Sequence, residues 1–261
     1  MHKYLPLFAL LFFCLFSCKK NNTKPSAINS DDQQATRAKQ RAGIYPVSVS
    51  VNAKHKAAYF GKLENGLDVK IACEGTSLTY GQNYPGVLPP INNSNYWRAL
   101  YQYPETLHSA LTTAGIHSMV INRGFPGDRT TEGLARWKDS TSADVVIVEY
   151  GTNDAYNFAN YPSGPLAIPA YTDSLTKIVQ RRLDQGAWVI LCQSPQLYPA
   201  NSTIDAYRSA ISSVASSLDI PVFDVQSNVI AGAADYFDGI HLTGLAYQKW
   251  GLTIAPMLEK Q

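Results

Sequence analysis

Beyond residue 68 the chain alternates short apolar runs with longer stretches of mixed polarity. Val69–Cys73, Ser118–Ile121, Val145–Tyr150, Ala187–Cys192 and Pro221–Val225 are rich in Val, Ile or Leu. Runs of that length and composition are the pattern of strands buried on both faces. Helical segments are predicted between them. Pro104 can open one at its first turn, running to about Ala114, with Gly115 as the stop. Others are predicted at Thr130–Trp137, Tyr171–Gln185, Ser202–Leu218 and Thr243–Leu258. Strands alternating with helices predict an α/β fold whose parallel sheet is covered on both faces. Chemistry on such a sheet belongs in the loops at the carboxyl ends of the strands. The stretch 155–170 is longer than a simple connection and carries Tyr156, Phe158, Tyr161 and three prolines. Loops of that length are often functional; it reads equally as a lid or substrate wall and as an insertion without a role.

The first 67 residues follow other rules. Lys3 precedes an apolar run, Tyr4 to Phe16, that is shorter than the roughly 20 residues a bilayer span needs. It reads as a targeting segment, residues 1–17. It ends in Leu15-Phe16-Ser17-Cys18, which resembles a bacterial lipobox. On that reading Cys18 is lipidated and becomes the first mature residue, so the protein is exported and tethered to a membrane surface. The alternative is an ordinary signal peptide with an incidental cysteine. Residues 19–43 are rich in Lys, Asn, Ser, Gln and Asp, so 18–43 read as a flexible tether. In the extension 44–67, weak alternation from Tyr45 to Val51 and the turn signal Glu64-Asn65-Gly66 predict one or two extra strands. The remaining residues, 68–261, form the main domain.

Composition narrows the picture. The 261 residues are 45% hydrophobic with a net charge of +2, which suits one sizeable core. There is no dense basic patch of the kind nucleic-acid binding needs. Past Cys18 only Cys73 and Cys192 remain. Both sit on apolar strand-like runs, and if those strands are not neighbours the pair is too far apart to bridge. Two buried free thiols are expected, and neither has a partner suggesting a metal site.

Four loops carry candidate chemistry. The first run leads into Glu74-Gly75-Thr76-Ser77-Leu78-Thr79, where a serine past a strand end can present its hydroxyl and its amide to one pocket. After the second comes Asn122-Arg123-Gly124-Phe125-Pro126-Gly127-Asp128, whose glycines allow close backbone approach to a ligand. After the third comes Gly151-Thr152-Asn153-Asp154, where Asn153 either donates an amide to an oxyanion or caps a helix. The fourth is Asp238-Gly239-Ile240-His241, before the last helix. A base histidine needs a group that holds its other ring nitrogen in the correct tautomer, and an Asp three residues earlier can do this. Of the five histidines, only His241 has a carboxylate at this spacing in such a loop; His2, His55, His108 and His117 read as leader, surface or packing residues.

Each segment alone is unremarkable, but their order and placement resemble the SGNH/GDSL hydrolase family over roughly residues 68–260. The resemblance implies a three-layer α/β/α, flavodoxin-like fold with a five-stranded parallel sheet in the order 2-1-3-4-5. It implies Ser77 as nucleophile, His241 as general base and acid, and Asp238 as the residue that orients it. The oxyanion donors would be the amides of Ser77 and Gly127 and the side chain of Asn153. No metal or organic cofactor is implied. One position departs: the family usually has Asp before the nucleophile, where this chain has Thr76. The hydrogen bonding of that loop is therefore expected to differ, and a shifted Ser77 amide would weaken the oxyanion hole.

The implied activity is hydrolysis of carboxylic esters through an acyl-enzyme. An exported, lipid-tethered and aromatic-rich protein suits short-chain acetyl esters on a poly- or oligosaccharide, with Tyr80, Tyr84, Tyr96 and Trp97 available to stack on sugars or simply to pack. A lipase, lysophospholipase or arylesterase on the same fold is the alternative. A catalytically silent carbohydrate-binding lipoprotein is another, disfavoured because Ser77, Gly127, Asn153, Asp238 and His241 are all retained.

Overall fold

Each of the five apolar runs forms a strand: β1 (Val69–Gly75), β2 (Ser118–Gly124), β3 (Val145–Glu149), β4 (Trp188–Gln193) and β5 (Val222–Asp224). The computed structural model describes residues 49–83, 86–156 and 160–260. Neighbouring strands are all parallel, in the order β2-β1-β3-β4-β5. The helices are α1 (Val51–Glu64), α2 (Ser77–Tyr80), α3 (Tyr103–Thr113), α4 (Thr130–Arg136), α5 (Thr152–Tyr156), α6 (Ile168–Asp184), α7 (Thr203–Leu218), α8 (Val225–Val229) and α9 (Gly244–Ile254). The protein is thus a three-layer α/β/α fold of flavodoxin-like topology.

The period of two along a strand creates the layers. On β3, Val145 and Ile147 enter one core with Tyr59, Leu107, Leu111 and Trp250, from α1, α3 and α9. Val146 and Val148 enter the other with Leu175, Ile178, Val179, Ile211 and Val214, from α6 and α7. All five residues of β3 are buried. Burying side chains of this size stabilises by about 1.5–3 kcal/mol each, which fixes β3 as the spine of the molecule.

β3 also separates the cysteines. Cys73 lies on β1 and Cys192 on β4, so both are buried free thiols, and burial pushes both well above the usual thiol range. The ends of β1 and β2 enclose a second buried group. Glu74 on β1 meets Arg182 at 2.9 Å and Arg123 at 3.2 Å. Burial raises its carboxyl pKa, and the two guanidinium groups oppose that rise.

The segment 44–67 differs from expectation. Residues 51–64 form helix α1, not a strand. The Ser50 side chain caps it by accepting from Ala53 N–H at 3.1 Å. The helix docks through Tyr59 and Phe60, whose rings lie 5.5 and 5.7 Å from that of Trp188. Asn52 makes a reciprocal pair with the backbone of Val189, at 2.8 and 3.2 Å. The signal was Ser50 followed by Lys- and Ala-rich sequence, which favours helix over strand. The leader, Cys18, the tether and residues 44–48 lie outside the described residues.

Candidate active site

The site begins where β1 stops. A Cβ on Gly75 would lie 2.2 Å from Thr79 Oγ1 and 2.5 Å from the Glu149 carbonyl oxygen, so only glycine fits that turn. Thr76 then caps the short helix α2, its Oγ1 accepting from Leu78 N–H at 3.2 Å. Ser77, the first residue of α2, is 5% exposed and faces the cleft described below.

Glu149 holds this turn. The carboxylate is fully buried at the end of β3. Its Oε2 accepts from Thr76 N–H at 3.2 Å, Thr76 Oγ1 at 2.8 Å and Thr79 Oγ1 at 3.1 Å. Its Oε1 accepts from Ser194 Oγ at 2.7 Å. Four donors thus converge on one carboxylate, three of them on Oε2. The departure at Thr76 now has a structural setting. The threonine supplies the helix cap with its own oxygen and leans on Glu149 through its hydroxyl and amide. Sequence reasoning missed Glu149, although a carboxylate closing an otherwise apolar buried strand is itself a signal.

The second half of the site comes from the loop before α9. His241 Nε2 is 2.9 Å from Ser77 Oγ, and His241 Nδ1 is 2.7 Å from Asp238 Oδ2. Asp238 Oδ1 accepts from Ile240 N–H at 3.0 Å and His241 N–H at 2.7 Å. Partial burial pulls the Asp238 carboxyl upward, but the imidazole and the two amides outweigh it and lower it to about 2. Gly239, at φ +85°, makes the turn. Its carbonyl accepts from Tyr198 N–H at 2.7 Å, which joins this loop to the one after β4.

Gly127 and Asn153 close the opposite side. Gly127, at φ +86°, lines the cleft. Asn153 sits in the first turn of α5 and also lines it. Asn153 Nδ2 donates to the Asp128 carbonyl at 2.9 Å; a side-chain amide carries two N–H groups, so this bond orients the second. Arg129 braces the same residue by donating from Nε to the Asn153 carbonyl at 3.2 Å. Next to it, Asp154 Oδ1 accepts from Thr130 N–H and Oγ1 at 3.0 and 2.6 Å. Burial raises the Asp154 carboxyl to about 6 against those bonds.

All five residues singled out from sequence thus converge: Ser77, Gly127, Asn153 and His241 line one cleft of about 470 Å³, with Asp238 behind His241. The stretch 155–170 supplies a wall through Tyr156 and Asn160. Arg129 anchors that stretch, its guanidinium 3.8 Å from the Tyr161 ring centroid. The expected aromatics divide. Tyr96 is half exposed and lines the cleft. Tyr80 is fully buried, its hydroxyl donating to the Tyr96 carbonyl at 2.6 Å, so it packs and cannot stack on a ligand. Trp97 is half exposed but does not line the cleft. Tyr84 and Phe158 lie outside the described residues. Among the described residues, no group of three or more His, Cys, Asp or Glu side chains is placed to hold a metal ion.

Comparison with known proteins agrees with this fold. The profile of the GDSL-like lipase/acylhydrolase family matches residues 73–249. An arylesterase of Vibrio mimicus is 35% identical over 94 residues, which are 35% of this chain and 44% of that protein. The match therefore spans less than half the length of that relative. A lipase/acylhydrolase from Enterococcus faecalis superposes with a TM-score of 0.57 at 22% identity, covering 74% of this chain and 99% of the other. An acetylxylan esterase from Geobacillus stearothermophilus superposes with a TM-score of 0.58 at 18% identity, covering 74% and 95%.

Proposed function

The chain belongs to the GDSL-like lipase/acylhydrolase family of ester hydrolases, and from that premise we propose that it is a serine esterase cleaving short-chain, acetyl-type esters of a polyhydroxylated alcohol such as an oligosaccharide. The reading of the reaction rests on one observation, the unbroken chain from Ser77 Oγ through the His241 ring to Asp238, at 2.9 and 2.7 Å.

In this mechanism His241 Nε2 takes the Ser77 proton as Oγ attacks the ester carbonyl carbon. Asp238 holds the Nδ1–H tautomer and stabilises the imidazolium that forms. The carbonyl oxygen becomes an oxyanion and receives hydrogen bonds from Ser77 N–H, Gly127 N–H and Asn153 Nδ2. The tetrahedral intermediate collapses, the C–O bond to the alcohol breaks, and His241 returns the proton to the leaving oxygen. Water then attacks the acyl-enzyme, giving its proton to His241. Collapse releases the carboxylic acid and restores Ser77.

The lining supports a small acyl group. Gln82, Thr152 and Asn160 face the cleft beside Tyr96 and Tyr156, and Ile240 is the only aliphatic side chain among the described lining residues apart from Pro126. A long acyl chain needs an extended apolar channel to repay its burial.

The test combines a fluorophosphonate probe with p-nitrophenyl esters of increasing chain length. Labelling should occur in the full chain and vanish in Ser77→Ala, and acetyl esters should be preferred over octanoyl. Labelling that survives Ser77→Ala moves the nucleophile elsewhere; a preference for octanoyl turns the reading to a lipase.

A further inference from the structure

The leaving alcohol must take its proton from His241 Nε2, so it sits on the histidine's side of Ser77. A second cavity, of about 410 Å³, opens on that side. It shares Tyr156 and Ile240 with the catalytic cleft, and Ile240 directly precedes His241. A group attached to the leaving oxygen therefore runs past Ile240 into this space.

Its walls are chemically specific. Tyr198 is half exposed and lines the cavity. Its ring is stacked on Tyr236, with centroids 6.0 Å apart and planes 24° apart. Tyr236 is fixed in turn, its hydroxyl donating to the Gln196 carbonyl at 2.5 Å. The Tyr198 backbone is pinned by its bond to Gly239, where an added Cβ would lie 2.2 Å from the Tyr198 carbonyl oxygen. The Tyr198 ring is thus a shelf, backed by Tyr236 on a pinned backbone, that leaves a face open to the cavity. Around it stand Asn201, Ser202 and the Asp238 carboxylate.

A flat apolar face rimmed by hydrogen-bonding groups matches a pyranose ring, which has a C–H face and hydroxyls at its edge. An alkyl alcohol has no use for the polar rim. A glycerophosphate leaving group would meet Asp238, and no Lys or Arg is among the described residues lining the cavity.

We propose that this second cavity is a leaving-group subsite that stacks a sugar ring of the alcohol on Tyr198. The proposal rests on the serine-esterase reading above and adds the side on which the sugar lies.

The experiment compares the full chain with its Tyr198→Ala and Tyr198→Phe variants on monoacetylated xylotriose and on ethyl acetate, whose alcohol is too short to reach the shelf. The ratio of the two kcat/KM values should fall about tenfold in Tyr198→Ala, chiefly through KM on the trisaccharide, the scale of one aromatic contact. It should be retained in Tyr198→Phe. An unchanged ratio, or an equal loss on both substrates, overturns the proposal.

Binding is read separately in the Ser77→Ala background by saturation-transfer NMR with xylotriose, cellotriose and chitotriose. At least one should bind, and its signal should weaken about tenfold when Tyr198→Ala is added. If none binds, the subsite is refuted while fluorophosphonate labelling still stands or falls by itself. If labelling fails but sugar binding depends on Tyr198, the esterase reading fails and the leaving-group role with it, leaving only a sugar-binding shelf.

Discussion

The two halves of the candidate site are built in opposite ways. The Ser77 turn continues β1 and is clamped from below. Thr76, Leu78 and Thr79 are fully buried, and Glu149 ties the turn to the core strand β3. The Asp238–His241 loop is not part of the sheet. Its Asp238 side chain is 40% exposed and its His241 side chain 15%. It is held by one loop-to-loop bond, Tyr198 N–H to the Gly239 carbonyl at 2.7 Å, and closed on itself by Phe237 N–H to the His241 carbonyl at 2.8 Å. The nucleophile thus takes its position from the hydrophobic core. The base takes its position from a surface loop that also opens onto the second cavity. Changes on the core side should therefore cost stability and rate together, and changes on the loop side mainly rate.

The largest effect tests the chain of proton transfer itself. Ser77→Ala and His241→Ala should each lower kcat on the order of 10⁶-fold, and Asp238→Ala about 10⁴-fold, measured on p-nitrophenyl acetate. Equal losses at Asp238 and His241 would mean that the exposed carboxylate matters more than its solvation suggests.

Next comes the clamp. Glu149→Ala leaves three hydroxyls and one amide without their acceptor, at about 1–3 kcal/mol for each group that stays buried and unpaired. With about 2–4 °C lost per kcal/mol in a chain of this size, the melting temperature should fall on the order of 10 °C, and fluorophosphonate labelling should slow with it. A variant that keeps its melting temperature would break the contrast between core and loop.

Two carboxylates then separate the halves by pH. Burial raises Asp154, beside Asn153, to about 6, whereas the Asp238 carboxyl is lowered to about 2. An unfolded Asp titrates near 3.9. The contribution of Asp154 is therefore full below about pH 3.9 and is lost as pH rises through about 6. That loss is roughly 3 kcal/mol for about two pKa units. The contribution of Asp238 is present above about 3.9 and is lost as pH falls through about 2. Urea unfolding between pH 4 and 7 should show stability declining with pH, and Asp154→Asn should flatten that window. A wild-type profile already flat there would remove the assignment.

The smallest change is Gly239→Ala. It places a Cβ 2.2 Å from the Tyr198 carbonyl at a backbone angle of +85°, and strain of this kind is on the order of 1–3 kcal/mol. Because the loop is peripheral, kcat should drop at least tenfold while the melting temperature moves only a few degrees. A collapse in stability would show that the loop is part of the core after all.

The sequence pattern was most informative where burial is complete. Val145–Tyr150 and Ala187–Cys192 read as strands because both faces must be apolar, and each prediction agrees with β3 and β4 to within a residue or so. The pattern failed in the extension 44–67, where weak alternation from Tyr45 to Val51 and the turn signal at 64–66 suggested one or two strands, but the Ser50 cap and the docking on Trp188 make residues 51–64 a helix. In the site, Ser77, Gly127, Asn153, Asp238 and His241 were legible through the resemblance of four ordered loops to the family, each loop by itself being unremarkable. Glu149 and Tyr198 were not: the lone carboxylate closing an apolar strand marks Glu149 as unusual without naming its partners, Tyr198 has no local signature, and each acts through residues far away in the chain.

The amino-acid order alone therefore determined the α/β alternation, the strands and the loops that bear chemistry. The alternation and the strands follow from hydrophobic periodicity, which is local, and the chemistry of the loops from the resemblance that their order carries. Only the tertiary structure decided that Glu149 would meet Thr76 and Thr79, that Tyr80 would be buried while Tyr198 stays open, and that a second cavity would lie behind Ile240. Those outcomes depend on which strands become neighbours and which loops touch, and they are set by packing the whole chain around β3.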